Sequence, residues 1–276
     1  MQASTRAIRT SMEKRTVNQN WTAVQVGQHS ALGISDARIA AMPAETDSIV
    51  ANLERVRERI ARAAGRVGRR ADEVTIVAIS KTFPTEAIRA AYDAGLRHFG
   101  ENRVQEFEAK RPKIEGVEAT WHFIGHLQSN KARRAVGLFH HIDSVDSLAL
   151  AQKLDSAAAA EAKRLPILIE VHLGGEATKS GAAEADLAAL AESCSSLPHL
   201  ELRGLMTIPA YFDDPERARP YFLKLRELRD DLSRRIGGPL PILSMGMSHD
   251  FEVAIEEGAA EIRIGTALFG ERRAEP

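Results

Sequence analysis

Cysteine is nearly missing from this 276-residue chain. Cys194 stands alone, so no internal disulfide can form and a cysteine-based zinc site is excluded. That usage fits a reducing compartment, and a cytoplasmic location is expected. No apolar run approaches the roughly 20 residues that cross a bilayer, so no membrane partner is expected. An excess of one charge is lacking too. Lys plus Arg number 37 against 38 Asp plus Glu, for a net charge of -1. Such a surface has no field to attract nucleic acid. Apolar residues make up 44% of the chain, enough to bury a full core.

The opening stretch, MQASTRAIRTSMEKRTVNQNWTAVQVGQHS, is basic-leaning, poor in acids and without sustained periodicity. Residues 1–45 are expected to form an N-terminal extension. It reads as a disordered tail, as an upstream start with Met42 the true initiator, or as an Arg- and Ser-containing transit peptide. It has no apolar h-region, so it is not a secretory signal.

From Asp47 the pattern becomes regular. Ile49, Leu53, Val56 and Ile60 recur at helical spacing, with Gly65 and Gly68 near the end of the segment. Eight strand-then-helix units follow, from VTIVAIS and PTEAIRAAYDAG to EIRIG and TALFGER. Alternation of this kind implies a parallel sheet. Eight units in this length predict a single (β/α)8 TIM barrel over residues 46–276, with a doubly wound open sheet as the alternative. With the eighth unit running close to Pro276, no second domain is expected.

Reactive groups in such a barrel sit where strands end and βα loops begin. The run VAISKTFP ends an apolar strand in Lys81. A lysine at an apolar barrel mouth is desolvated, which lowers its pKa and favours attack on carbonyls. The competing reading is a lysine that snorkels into water. In RIGTALFG, Gly265 and Thr266 lie between a strand and a helix start, where N–H groups and a hydroxyl suit an anion. SMGMS supplies Ser244, Gly246 and Ser248 on the preceding strand end. Ordinary helix capping by Ser248 and Thr266 is the alternative. A Schiff-base lysine beside a phosphate cup admits a sugar phosphate or pyridoxal 5'-phosphate (PLP). Arg263 shares the inward phase of Gly265. Buried, it needs an acceptor: the pyridine nitrogen of PLP, or a carboxylate such as Glu170.

Several long stretches then resemble one family. VAISKTFP, HFGENRVQE, WHFIGHLQSNK, IDSVDS, KSG, LRGLMTIP, SMGMSHDFEVAIEEGA and RIGTALFGER are similar to the pyridoxal phosphate homeostasis proteins, relatives of the alanine racemase N-terminal barrel. The matching stretches run from Val74 to Arg272. The resemblance implies a barrel of the alanine racemase N-terminal type with PLP as its cofactor. It also implies Lys81 as the lysine that holds PLP, Ser244, Gly265 and Thr266 as phosphate ligands, and Arg263 as partner of the pyridine nitrogen. Asn102, Met247 and Ile264 are implied as pocket residues, and Lys179 of KSG as a second lysine near the site. His122 and the GHLQSNK loop fall in a family motif. His172 stands where the family usually carries Asn.

PLP proteins are usually enzymes, so both readings are kept. An arginine on the ring nitrogen weakens the electron sink that PLP catalysis uses. Alanine racemases add a second domain with a catalytic tyrosine, and none of Tyr92, Tyr211 and Tyr221 matches that role. No catalytic residue is therefore assigned. The expectation is a monomeric PLP carrier acting in cofactor homeostasis, with PLP-dependent apoenzymes as recipients. A weak amino-acid racemase or other PLP enzyme is the alternative, and a cofactor-free lysine aldolase the third reading. No metal is expected: His140 and His141 read as strand-end surface residues without further ligands. Cys194 reads as packed rather than reactive.

Overall fold

A computed structural model of the chain describes residues 43–174 and 180–271. The first helix, α1 (Pro43–Arg66), starts upstream of Asp47, inside the expected extension. Residues 1–42 of that extension, and Lys179, lie outside the described residues. Ile49, Leu53, Val56 and Ile60 form the predicted apolar stripe, each 4% exposed or less.

The eight strands are β1 (Thr75–Ile79), β2 (His98–Glu101), β3 (Thr120–Phe123), β4 (His141–Val145), β5 (Leu165–Glu170), β6 (Leu200–Met206), β7 (Ile242–Met247) and β8 (Glu261–Ile264). The helices between them are α2 (Thr85–Asp93), α3 (Val104–Lys110), α4 (Ala132–Leu138), α5 (Leu148–Ala160), α6 (Glu184–Ser196), α7 (Arg219–Ile236) and α8 (Phe251–Glu256). A short α9 (Thr266–Phe269) follows β8. All neighbouring strands are parallel and the sheet closes on itself in sequence order. Closure is carried by β1 beside β8, with Val77 opposite Arg263 and Ala78 opposite Ile264. That pairing excludes the open sheet.

Alternation along each strand divides the side chains between two layers. Outward residues meet the helices in one continuous core that includes Ala78, Phe99, Trp121, Phe139, Ile262 and Ile264. Burying each large side chain there contributes about 1.5–3 kcal/mol. Inward residues fill the barrel, where Val77, Ile79 and Ile124 form a separate small cluster. The α1 helix fastens the closing seam. Asn52 Nδ2 donates to the Leu268 carbonyl at 2.8 Å, and Arg59 pairs with Glu252 at 2.8 Å. Both contacts go to the helices that flank β8, so α1 is tied to the last strand–helix unit.

Among the described residues no helix is long and apolar enough to cross a membrane. Cys194 is fully buried, and burial pushes its thiol up to about 12, so it packs as a small apolar side chain.

Candidate functional site

Lys81 follows β1 directly, two residues beyond Ile79, and is half-buried. The next residue, Thr82, has φ +66, a left-handed conformation that costs a β-branched residue energy and needs surrounding contacts to hold it. Its N–H donates to Glu106 Oε1 at 2.7 Å. Ser80 is buried and its hydroxyl donates to Glu101 Oε1 at 2.8 Å. The residues on both sides of Lys81 are therefore anchored, Ser80 to the last residue of β2 and Thr82 to α3.

Gly265 lies on the adjoining strand end. A Cβ built there would sit 3.7 Å from Ile79 Cβ, so the β8 end and the Lys81 approach are immediate neighbours. The N–H groups of Gly265 and Ala267 both donate to Ser248 Oγ, at 3.3 and 3.2 Å. Thr266 between them is exposed. Ser248 does not cap α8, contrary to the capping alternative. Asp250 precedes that helix, and its Oδ1 accepts the Met247 N–H at 2.6 Å. Thr266 is the first helical residue of α9, and Gly265 holds the cap position. The result is a cluster of two backbone donors and two hydroxyls at one corner of the barrel mouth, chemistry suited to phosphate oxygens. Gly246 permits this corner. It has φ +91, and a Cβ there would lie 2.6 Å from Ala254 Cβ and 2.9 Å from Phe251 Cα.

Arg263 lies deeper, 3% exposed, one inward step below Gly265. Its Nη1 donates to Ser244 Oγ at 3.0 Å and its Nη2 to the Thr207 carbonyl at 2.8 Å. Among the described residues no carboxylate is within ion-pair distance of it. Glu170, the alternative partner, accepts from Ser180 Oγ at 3.0 Å instead. Burial disfavours the charge on Arg263, and the fields of Glu170, Asp143, Asp250 and Glu261 oppose that effect. A guanidinium carries five N–H donors. Two are engaged by protein oxygens, so this arginine has donors for an acceptor at the barrel mouth.

The other expected residues separate into two groups. Asn102 is half-buried at the end of β2, and Gly125 packs against its backbone so closely that a Cβ would come 2.3 Å from the Asn102 carbonyl oxygen. Met247 is half-buried at the end of β7. Ile264 is fully buried and its side chain belongs to the outer core, so only its backbone faces the mouth. Ser244 is fully buried, with its hydroxyl facing Arg263.

Lower in the barrel lies a polar chain to which the sequence had assigned no role. His98 Nδ1 is 3.0 Å from His122 Nε2, and His122 Nδ1 is 2.8 Å from Asp143 Oδ2. His141 is not a surface residue: it is half-buried, with its ring 4.5 Å from that of His122. Period-two alternation turns it inward together with Asp143, while His140 stays exposed. Burial, aided by the field of His122, holds His98 and His141 down at about 4. Burial pushes Asp143 and Glu261 up to about 7. The ligand atoms of His122, His141 and Asp143 lie within 4.8 Å of one another, the spacing of a metal triad. Both ring nitrogens of His122 are already engaged, so the cluster is a hydrogen-bonded line, while Asp143 Oδ1 is buried without a hydrogen-bond partner.

Comparison with known proteins agrees with this architecture. The family described as alanine racemase, N-terminal domain, matches residues 50–273. The pyridoxal phosphate homeostasis protein of Aquifex aeolicus is 50% identical over 221 residues, covering 80% of this chain and 97% of that one. The protein of the same name from Escherichia coli is 42% identical over 233 residues, covering 82% and 97%. The solved structure of PipY from Synechococcus elongatus, with PLP bound, superposes with a TM-score of 0.72 at 40% identity, covering 80% of this chain and all of that one. Alanine racemase from Corynebacterium glutamicum, at 20% identity and a TM-score of 0.65, shares the fold. With its barrel, its strand-end lysine and these relatives, the chain belongs to the pyridoxal phosphate homeostasis protein family.

Proposed function

We propose that this chain binds PLP, holds it as a Schiff base on Lys81, and acts in PLP homeostasis or delivery to apoenzymes rather than as a strong catalyst. The observation that carries the reading is the convergence of three features on one barrel edge. These are Lys81 after β1, the Gly265–Ala267 N–H groups with Ser248 after β8, and Arg263 one step below. The cofactor contributes an aldehyde and an electron-accepting ring; the protein contributes binding and electrostatics.

In this reading Gly265, Thr266, Ser244 and Ser248 hold the phosphate, and Arg263 donates to the pyridine nitrogen. Asn102, Met247 and the Ile264 backbone line the pocket. A permanently charged donor at that nitrogen keeps the nitrogen unprotonated and so limits carbanion stabilisation. That is the physical argument for a carrier. PLP bound in the Synechococcus relative, and the name shared by the Aquifex and Escherichia relatives, support the same assignment. The carrier works as a monomer in the reducing cytoplasm.

The test is to load the purified protein with PLP and offer it amino acids, then an apoenzyme. The expected result is transfer of PLP to the apoenzyme with no sustained racemisation or transamination. Steady turnover of an amino acid would instead make it a PLP enzyme.

A further inference from the structure

The Lys110 ammonium has three N–H donors and three close acceptors. Nζ lies 2.9 Å from the Ser80 carbonyl, 3.0 Å from Glu101 Oε1 and 2.7 Å from Glu106 Oε1. Its side chain is 12% exposed, and Glu101 is fully buried. Glu101 Oε1 also accepts from Ser80 Oγ, and Glu106 Oε1 also accepts the Thr82 N–H. One cation therefore reaches the residue before Lys81 directly and the residue after it through one carboxylate. The backbone adds Ser80 N–H to the Gly100 carbonyl at 3.0 Å and Phe83 N–H to the Ser80 carbonyl at 3.1 Å.

This arrangement goes beyond ordinary loop packing. Thr82 is one of two described non-glycine residues with positive φ, and the strained residue sits directly beside the candidate nucleophile. Strain of that kind, of order 1–3 kcal/mol, persists only where neighbouring contacts over-determine it. Glu106 and Lys110 are four apart on α3, with the acid N-terminal, the favourable order on a helix. The helix thus presents a pre-organised pair to the β1 end. Burial raises the Glu101 carboxyl while Lys110 and Ser80 oppose the rise. Burial also acts on Glu106, but hydrogen bonds from Lys110 and the Thr82 N–H outweigh it and hold that carboxyl below its ordinary range.

The geometry points to Lys110, with Glu101 and Glu106, as a positioning clamp that sets the backbone direction of Lys81 and thereby aims its amine into the barrel mouth. For the cofactor step the inference rests on the function proposed above. The step is condensation: Lys81 Nζ forms a C=N bond to the aldehyde carbon, and the carbonyl oxygen leaves as water with the two amine hydrogens. The clamp residues touch neither reacting atom. They act through the Ser80 and Thr82 peptides.

The variants are Lys110→Met and Glu106→Ala. The second removes the Thr82 anchor and one Lys110 acceptor but leaves Lys110 paired with Glu101 and the Ser80 carbonyl, so it keeps the question open to test if Lys110→Met fails to fold. Two readouts are taken at matched far-UV circular dichroism. The first is competitive labelling of Lys81 by trinitrobenzenesulfonate in protein free of PLP, followed by peptide mass across pH. The second is the rate at which borohydride-trappable PLP appears on Lys81. The clamp predicts a shifted pH profile for labelling, and adduct formation slowed by about tenfold or more, as misplacement of a reacting group does. Wild-type labelling profiles in the folded variants would overturn it. Absence of an adduct in the unmodified protein would overturn the cofactor reading instead, and the labelling arm would still decide the clamp.

Discussion

The barrel interior holds two polar regions that differ in what their groups face. At the mouth, Gly265 and Ala267 N–H groups converge on one serine hydroxyl, and Arg263 engages two of its five donors. In the belt below, His98, His122 and Asp143 are hydrogen-bonded in a line. Both regions contain histidines, acids or arginine beneath strand ends, so polarity alone does not separate a ligand site from a structural network. The difference lies in place and chemistry: N–H groups, hydroxyls and a guanidinium with further donors gather at the strand ends, whereas the belt is a line of imidazoles and a carboxylate bonded to one another below them. The two regions should therefore respond oppositely to mutation: the mouth in ligand chemistry, the belt in stability.

Lys81→Ala is the sharpest break. It should abolish borohydride-trapped PLP on the β1 peptide while leaving the urea midpoint near that of the parent protein. Asp143→Ala should do the reverse. Removing Asp143 leaves the buried His122 Nδ1 without its acceptor, at a cost of about 1–3 kcal/mol. Urea unfolding should show a lower midpoint with an unchanged slope, and folded protein should still form the adduct. Ser248→Ala removes a hydroxyl from the proposed phosphate corner. Losing one hydrogen bond to a charged group corresponds to PLP binding weakened by about tenfold or more, measurable by fluorescence titration.

The smallest effect is a pH slope. Burial, aided by the field of His122, holds His141 at about 4, below its ordinary value of 6.5. Its neutral form is the one that folds, so its contribution is present above 6.5 and is lost as pH falls towards 4. Asp143 and Glu261, pushed up to about 7, act in the opposite sense, since the folded state holds their protons across part of the same window. His141→Gln removes one acid-sensitive contribution. The variant should lose less thermal stability than the parent between pH 7 and pH 5. An identical or larger loss would mean that His141 is not held neutral by the belt.

Much of the mouth was legible in the sequence because strand-end chemistry is local. VAISKTFP announces an amine at the end of an apolar strand, and RIGTALFG announces a tight turn into a helix. Arg263 and Gly265 share a phase that period two supplies directly. Ile264 illustrates the limit of that rule: its neighbours face the mouth, so its own side chain must face the helices. Ser248 was visible as a hydroxyl of the β7 strand end, with capping of the next helix as its alternative place. Its bonds cross to Gly265 and Ala267 on the next unit, a choice set by the pairing of β7 with β8 and by the turn at Gly246. The belt was less legible still. His98, His122 and Asp143 lie on three strands, and only the register across β2, β3 and β4 brings them into line. The role of Lys110 was hidden for the same reason, because Ser80, which it holds directly, is 30 residues away in the chain, and Thr82 is 24 residues from the Glu106 that links the two.

The central claim is that Lys81 carries the cofactor. The most direct measurement is the absorption spectrum of the purified protein with PLP, then borohydride reduction and peptide mass mapping. A coloured complex with one reduced pyridoxyl group on the Lys81 peptide, lost in Lys81→Ala, is the predicted result. No colour and no adduct at Lys81 would contradict the account and turn attention to sugar-phosphate carbonyl compounds for the same lysine.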